Sequence, residues 1–218
     1  MSTRAVHTPL AHHFEDLEHQ RSAATFGMWI FLATEILFFG GMFTAYTIYR
    51  SLHPLAFAEI SQHLDIVLGT VNTAVLIGSS FTMVLAVYGA HTDRRTMLIL
   101  CLALTLLLGL AFLGIKFTEY YHKFQEHHVP GPFFNYPGPF GREAAMFFSL
   151  YFAMTGLHAL HMIIGVGILS ILIVMSWKGR FTSEYHNPVE LSGLYWHFVD
   201  IVWIFLYPLL YLIGRHLE

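Results

Sequence analysis

The stretch TMLILCLALTLLLGLAFLGI, residues 96–115, is apolar throughout and contains no charged residue. A helix of about 20 apolar residues is long enough to cross the hydrocarbon core of a bilayer. Four other stretches have the same character, so the predicted spans are about 24–49, 64–88, 96–121, 145–177 and 189–214. The sequence therefore predicts an all-α integral membrane protein, folded as a five-transmembrane-helix bundle.

The amino-acid composition supports a membrane environment. Hydrophobic residues make up 56% of the chain and charged residues 11%, and the mean hydropathy is +0.57. A soluble domain carries roughly 25% charged residues. The formal net charge of −3, without a basic cluster, argues against nucleic acid as a partner. Cys101 is the only cysteine, which excludes an internal disulfide or a thiolate metal centre.

The distribution of charge, proline and glycine predicts how the chain is organised. Residues 1–22 lack an apolar core, and we expect a polar N-terminal tail there rather than a cleaved signal peptide. Residues 23–216 hold the five spans. Residues 122–143 contain PGP and PGPFG, which predict a Pro/Gly-rich surface loop without a helix. A weak excess of Lys and Arg predicts a cytoplasmic N-terminus and a periplasmic C-terminus.

Glu35 lies midway along the first predicted span. A polar group at membrane depth is costly unless it is paired, so an intramembrane carboxyl is a candidate functional residue. Two interpretations stay open. Glu35 either exchanges protons or contacts lipid, or it forms a hydrogen bond to another helix.

Other polar residues of interest lie within the second and third spans. Lys116 and Glu119 have i,i+3 spacing near the end of the third span, which favours a local ion pair that extends toward the interface over a proton relay. Asn72 in the second span predicts an interhelical hydrogen bond.

Histidines lie in the fourth and fifth spans. His158 and His161 share one helix face, and His197 and Asp200 on the fifth span could complete a metal site with them. Polar groups satisfied inside the bundle, or in contact with lipid headgroups, are the favoured interpretation. We therefore predict neither a catalytic residue nor a metal site in this chain. The doublets at 12–13 and 127–128 are expected outside the membrane and solvated.

Several motifs resemble the cytochrome c oxidase subunit III family. The run YWHFVDIVW, residues 195–203, is similar to the family's final-helix signature, and GLHALHMIIG, residues 156–165, resembles its histidine motif. EYY at 119–121, Glu35 and the Asn-Thr pair at 72–73 also fall at family positions. The resemblance covers about residues 22–214.

The resemblance implies a non-catalytic subunit of a haem–copper terminal oxidase in a bacterial cytoplasmic membrane. The haems and copper are held by partner subunits, and phospholipid binds in a cleft of subunit III. The partners implied are subunit I in direct contact, then subunit II, a small subunit IV and a larger respiratory supercomplex. The complex reduces oxygen to water and pumps protons, and subunit III supports proton uptake, oxygen access and stability of the catalytic subunit.

The resemblance also implies roles for individual residues. Those near the lipid cleft, linked to proton uptake, are Glu35, His158 and His161. Those that pack helices through polar contacts are Asn72, Glu119, His197, Asp200 and Trp203.

The chain departs from the family pattern in three places. The first two of seven family helices are missing, the Pro/Gly-rich loop is longer, and Lys116 stands where many relatives carry Gln. Two alternatives stay open: a subunit-III-like accessory protein of a nitric-oxide reductase, and a stand-alone proton or ion carrier. A metalloenzyme is disfavoured because one cysteine cannot build a dinuclear copper site.

Overall fold

The computed structural model describes Phe14 and residues 16–213, and all regular structure in these residues is helical. The helices are α1 (Leu17–Leu52), α2 (Pro54–Ser61), α3 (Ile66–His91), α4 (Arg95–Gln125), α5 (Gly141–Trp177) and α6 (Asn187–Tyr211). All except α2 are long and apolar enough to cross a membrane. The predicted fold class, with its five spans, is confirmed.

Helices α3, α4, α5 and α6 form a closed bundle, in which each helix packs against two of the others. Trp196 of α6 lies at its centre and is 1% exposed. A Cβ atom added at Gly109 of α4 would lie 2.7 Å from the Trp196 ring, and one added at Gly165 of α5 would lie 2.9 Å from it. Glycines at these two positions therefore allow the helices to close around the indole.

A glycine also allows the close contact of α3 with α4. A Cβ atom added at Gly89 would lie 2.9 Å from the backbone nitrogen of Leu98. Any side chain at position 89 would push the two helices apart. Gly89 therefore permits the antiparallel α3–α4 pair to form directly after a three-residue turn.

Helices α1 and α2 lie outside the bundle. α1 packs against α5 and α6, and α2 packs against α5. α2 is anchored by Phe57, which is fully buried and forms an edge-to-face contact with Phe147 at a centroid distance of 5.4 Å. This short helix was not predicted from hydropathy, because its eight residues are too few for a span.

Helix bounds refine the predicted polar tail and the predicted surface loop. Helix α1 begins at Leu17, so residues 17–22 of the predicted polar tail are helical. The Asp16 side chain caps this helix by accepting a hydrogen bond of 2.6 Å from the His19 backbone nitrogen. The loop predicted over 122–143 is limited to 126–140, because α4 continues to Gln125 and α5 begins at Gly141. Residues 1–13 and 15, including the first histidine doublet, lie outside the described residues.

The shortened loop is held to the bundle by His128. Its ring stacks on Phe148 at a centroid distance of 5.0 Å, and its Nδ1 lies 3.0 Å from Glu126 Oε2. The residue is buried, so the prediction of a solvated doublet was wrong for this position. Burial and the Lys123 ammonium lower the pKa of the His128 imidazole, although the Glu126 carboxylate opposes this effect.

Candidate functional site

Glu35 and His161 meet inside the membrane. Glu35 Oε2 on α1 lies 3.4 Å from His161 Nε2 on α5, and the two side chains are 19% and 12% exposed. Tyr195 of α6 approaches the same imidazole, with its hydroxyl 3.2 Å from His161 Nδ1. The three side chains therefore connect α1, α5 and α6.

The hydrogen bonds of Tyr195 constrain where protons lie in this group. The Tyr195 hydroxyl donates to the His161 carbonyl oxygen at 3.0 Å, so its oxygen can only accept from His161 Nδ1–H. The other ring nitrogen, Nε2, is the atom that faces Glu35. The carboxyl and the imidazole are thus close enough to share a proton. Such a pair is far less costly in a membrane than an isolated carboxylate.

An apolar groove runs between α1 and α6 beside this pair. Its volume is about 420 Å³, and its walls include Trp29, Ile36 and Phe39 from α1 and Phe198 and Phe205 from α6. Ile36 directly follows Glu35 in the chain. The groove can hold an apolar chain. Neither Glu35 nor His161 lines it, but its wall residue Phe39 packs against the His161 ring at a centroid distance of 5.7 Å.

His158 lies away from Glu35, although both were assigned to the same site. It is 1% exposed, and its ring lies 5.2 Å from the Trp203 ring and 5.4 Å from the Phe112 ring. Neither ring nitrogen has a hydrogen-bond partner among the described residues. The structure therefore unites only Glu35 and His161 from this predicted group.

His197 and Asp200 lie in a separate pocket between α3 and α6. The pocket has a volume of about 280 Å³, and both residues line it together with Ser80. His197 Nδ1 lies 2.7 Å from Ser80 Oγ. Trp203 lines the same pocket and donates from Nε1 to Thr73 Oγ1 at 3.0 Å. These polar contacts join α3 to α6.

Asn72 joins α3 to α4 instead. Its Nδ2 lies 3.5 Å from the Phe112 carbonyl oxygen, and the side chain is fully buried. Amide groups at membrane depth stabilise helix pairs in this way.

Lys116 and Glu119 form a buried ion pair. Lys116 Nζ lies 3.0 Å from Glu119 Oε2, and it also donates to the hydroxyls of Tyr151 at 3.1 Å and Tyr211 at 2.8 Å. Both hydroxyls donate in turn to Glu119 Oε1, at 2.7 and 2.6 Å. The side chains of the ion pair are 1% and 3% exposed, so the predicted extension of Lys116 toward the interface was wrong.

Sequence reasoning missed the two tyrosines of this cluster. Both are buried, with Tyr151 fully covered and Tyr211 1% exposed. Tyr151 lies 35 residues from Lys116 in the chain and Tyr211 lies 95 residues away. No local spacing indicates such contacts.

Comparison with known proteins identifies the family. Residues 11–215 match the family described as cytochrome c oxidase subunit III. The chain belongs to this family. The resemblance predicted from its motifs is thus confirmed, and the chain is a multi-pass membrane protein of the subunit III type.

Individual subunit III relatives cover most of the chain. Cytochrome bo(3) ubiquinol oxidase subunit 3 of Pseudomonas aeruginosa is 30% identical over 221 residues, which cover 98% of this chain and 99% of that protein. Cytochrome c oxidase subunit 3 of Synechocystis is 35% identical over 86% of this chain and 75% of its own length. The human cytochrome c oxidase subunit 3 is 32% identical over 85% of this chain and 68% of its own length.

Proposed function

We propose that this chain is the non-catalytic subunit III of a haem–copper oxidase in a bacterial cytoplasmic membrane, with a cytoplasmic N-terminus. It packs directly against subunit I, and the haems and copper reside in subunits I and II. A small subunit IV and a respiratory supercomplex are further partners in this proposal. The assembled complex reduces oxygen to water and pumps protons.

The observation that supports the finer proposal is the contact between Glu35 and His161, together with Phe39, which packs against His161 and lines the α1–α6 groove. A groove with almost entirely apolar walls suits a phospholipid acyl chain, and it also suits oxygen, which is apolar. A carboxyl and an imidazole that share a proton are less costly in a membrane than either charge alone, and they can exchange that proton with a third group. We therefore propose that Glu35 and His161 couple lipid retention to sustained proton uptake by the catalytic subunit.

The test is Glu35→Gln in the intact oxidase. Glutamine keeps the shape of the side chain but cannot share the proton with His161. We expect normal assembly and normal initial oxygen consumption, followed by inactivation after fewer turnovers and a lower content of bound phospholipid. The matched control is Glu184→Gln, which changes an exposed carboxyl in the α5–α6 connection and should leave both readouts unchanged. Loss of oxygen reduction before any turnover would contradict this supporting role.

The metal content of the purified complex tests the broader assignment. Two haems with copper are expected, and a dinuclear copper signal in subunit II would identify cytochrome c as the electron donor. Its absence would favour ubiquinol, the substrate named for the Pseudomonas relative. Haem with non-haem iron and no copper would instead indicate an accessory protein of a nitric-oxide reductase. A folded, metal-free single chain would favour the carrier alternative.

A further inference from the structure

Three metal-ligating side chains converge at the end of the bundle where α1 begins. His91 is the last residue of α3, His186 precedes α6, and Glu190 lies in the first turn of α6. Glu190 Oε1 lies 2.6 Å from His91 Nε2 and 3.5 Å from His186 Nε2, and the three atoms lie within 4.8 Å of one another. Two imidazoles and one carboxylate form a ligand set suited to zinc and similar divalent ions.

His186 provides an independent indication of a ligand. The residue is 4% exposed, and its Nδ1 has no hydrogen-bond partner among the described residues. Its Nε2 lies 3.5 Å from Glu190 Oε1 and 3.4 Å from Arg21 Nη2, and both contacts are longer than an ordinary hydrogen bond. The two ring nitrogens point in divergent directions, so a ligand at Nε2 leaves Nδ1 unsatisfied, and the indication of a ligand comes from Nε2, which makes no short hydrogen bond. A metal ion at Nε2 would use the lone pair that points into the cluster.

The spacing of the ligand atoms is close to that of a tetrahedral site. Because bonds from zinc to nitrogen and oxygen are about 2.0–2.2 Å long, neighbouring ligand atoms lie roughly 3.3 Å apart. The separation between His186 and Glu190 already fits this value. The separation between His91 and Glu190 must widen, and the His91 side chain can adjust because it is 42% exposed at the end of its helix.

Some of the charges around this cluster favour a bound cation and others oppose it. The C-terminal end of α3 carries a partial negative charge that favours a cation near His91. Arg21 of α1 opposes the cation, but its Nη2 binds the other oxygen of Glu190, Oε2, at 2.9 Å. A carboxylate that ligates through one oxygen is commonly hydrogen-bonded at the other. An ion can therefore bind if Arg21 keeps this contact and gives up the longer one to His186.

We propose that His91, His186 and Glu190 bind one divalent transition-metal ion of the zinc class, with water completing the coordination. The ion joins α3 to α6, and Arg21 links the same carboxylate to α1. The sequence-based prediction of no metal site concerned the histidines within the fourth and fifth spans. This proposal revises it for the cluster at the end of α3 and the start of α6. The inference does not depend on the proposed role of Glu35.

Titration with Co²⁺, whose visible absorption reports its coordination, tests the site. The full chain is purified in detergent and freed of metal with a chelator. The background carries His7→Gln, His12→Gln and His13→Gln, so that the N-terminal histidines do not compete. We expect one Co²⁺ per chain, displaced by Zn²⁺, and affinity at least about tenfold weaker in His91→Gln and in His186→Gln.

Three comparisons decide the outcome. His128→Gln changes a buried histidine outside the cluster and should leave the affinity unchanged. Glu184→Gln removes an exposed carboxylate outside the cluster and should also leave the affinity unchanged. Circular dichroism identifies the variants that are folded, and His91→Gln is decisive because its exposed position allows folding. A folded parent that binds no Co²⁺, or an unchanged affinity in folded His91→Gln, would overturn the proposal.

Discussion

Helices α1 and α6 are both apolar enough to span a membrane, but their surroundings differ. In its most apolar 18-residue segment, α6 has 56% of its residues buried by the rest of the chain, whereas α1 has 11%. Large apolar side chains exposed on α1 include Phe26, Ile36, Leu37 and Phe38. Contacts within the chain therefore hold α6, while lipid or a partner subunit must cover most of α1.

This difference separates two kinds of sequence constraint. A residue of the α3–α6 bundle contributes to folding of the chain itself, so its substitution should lower the free energy of unfolding. Exposing an apolar side chain of α1 to lipid has no free-energy cost, because hydrocarbon is as apolar as the side chain. Its substitution should act on assembly instead.

The largest effect is expected from Lys116→Met in the bundle. The change leaves Glu119 buried without its cation and should cost about 3–5 kcal/mol. Denaturant unfolding in detergent measures this loss, and Lys178→Met, at an exposed position, is the control. The double variant with Glu119→Met should recover much of the stability, since an apolar pair replaces an ion pair. A single variant as stable as the control would show that the buried ion pair does not hold the bundle.

An intermediate effect is expected from Gly109→Ala. The new methyl group would collide with Trp196, and overpacking of this kind costs about 1–3 kcal/mol. Gly114→Ala on the same helix and Gly41→Ala on α1 meet no atom within 4 Å and should be neutral or slightly stabilising. The free energies of unfolding of the three variants are compared directly. A loss in Gly41→Ala equal to that in Gly109→Ala would break the contrast between α1 and the bundle.

The smallest effect is expected at the loop of residues 126–140. The pKa of His128 is lower in the folded protein than its ordinary value of 6.5, mainly because the ring is buried. The folded state therefore binds fewer protons than the unfolded state once the pH falls below about 6.5, and docking of the loop weakens as acid is added. Limited proteolysis of the loop should be faster at pH 5.5 than at pH 7.5. His128→Gln should abolish this difference, and its persistence in that variant would assign the pH response to another group.

The sequence allowed the five spans and the family to be predicted, because both depend on local patterns of hydropathy and on short motifs. The partner of Lys116 was also correctly placed at Glu119, since i,i+3 spacing is local. Burial of the pair was not predictable, because it results from Tyr151 and Tyr211 on two other helices.

Other features of the site depend on distant parts of the chain in the same way. Glu35 and His161 come from α1 and α5. His158 lies near Trp203 because of the orientation of α5 about its own axis relative to α6. No sequence motif indicates that His91 and His186 lie close together. α2 could have been suspected from Pro54, which is favoured at a helix start, and from the apolar residues that follow it.

The contact of Trp196 with two glycines also limits how this sequence can change. Gly109 and Gly165 leave only the volume of the indole between α4 and α5. A larger residue at either glycine requires a smaller ring at position 196, and a smaller ring alone leaves a cavity. The three positions should therefore vary together among descendants of this protein, and an exchange at one of them should persist only in lineages that have already changed another.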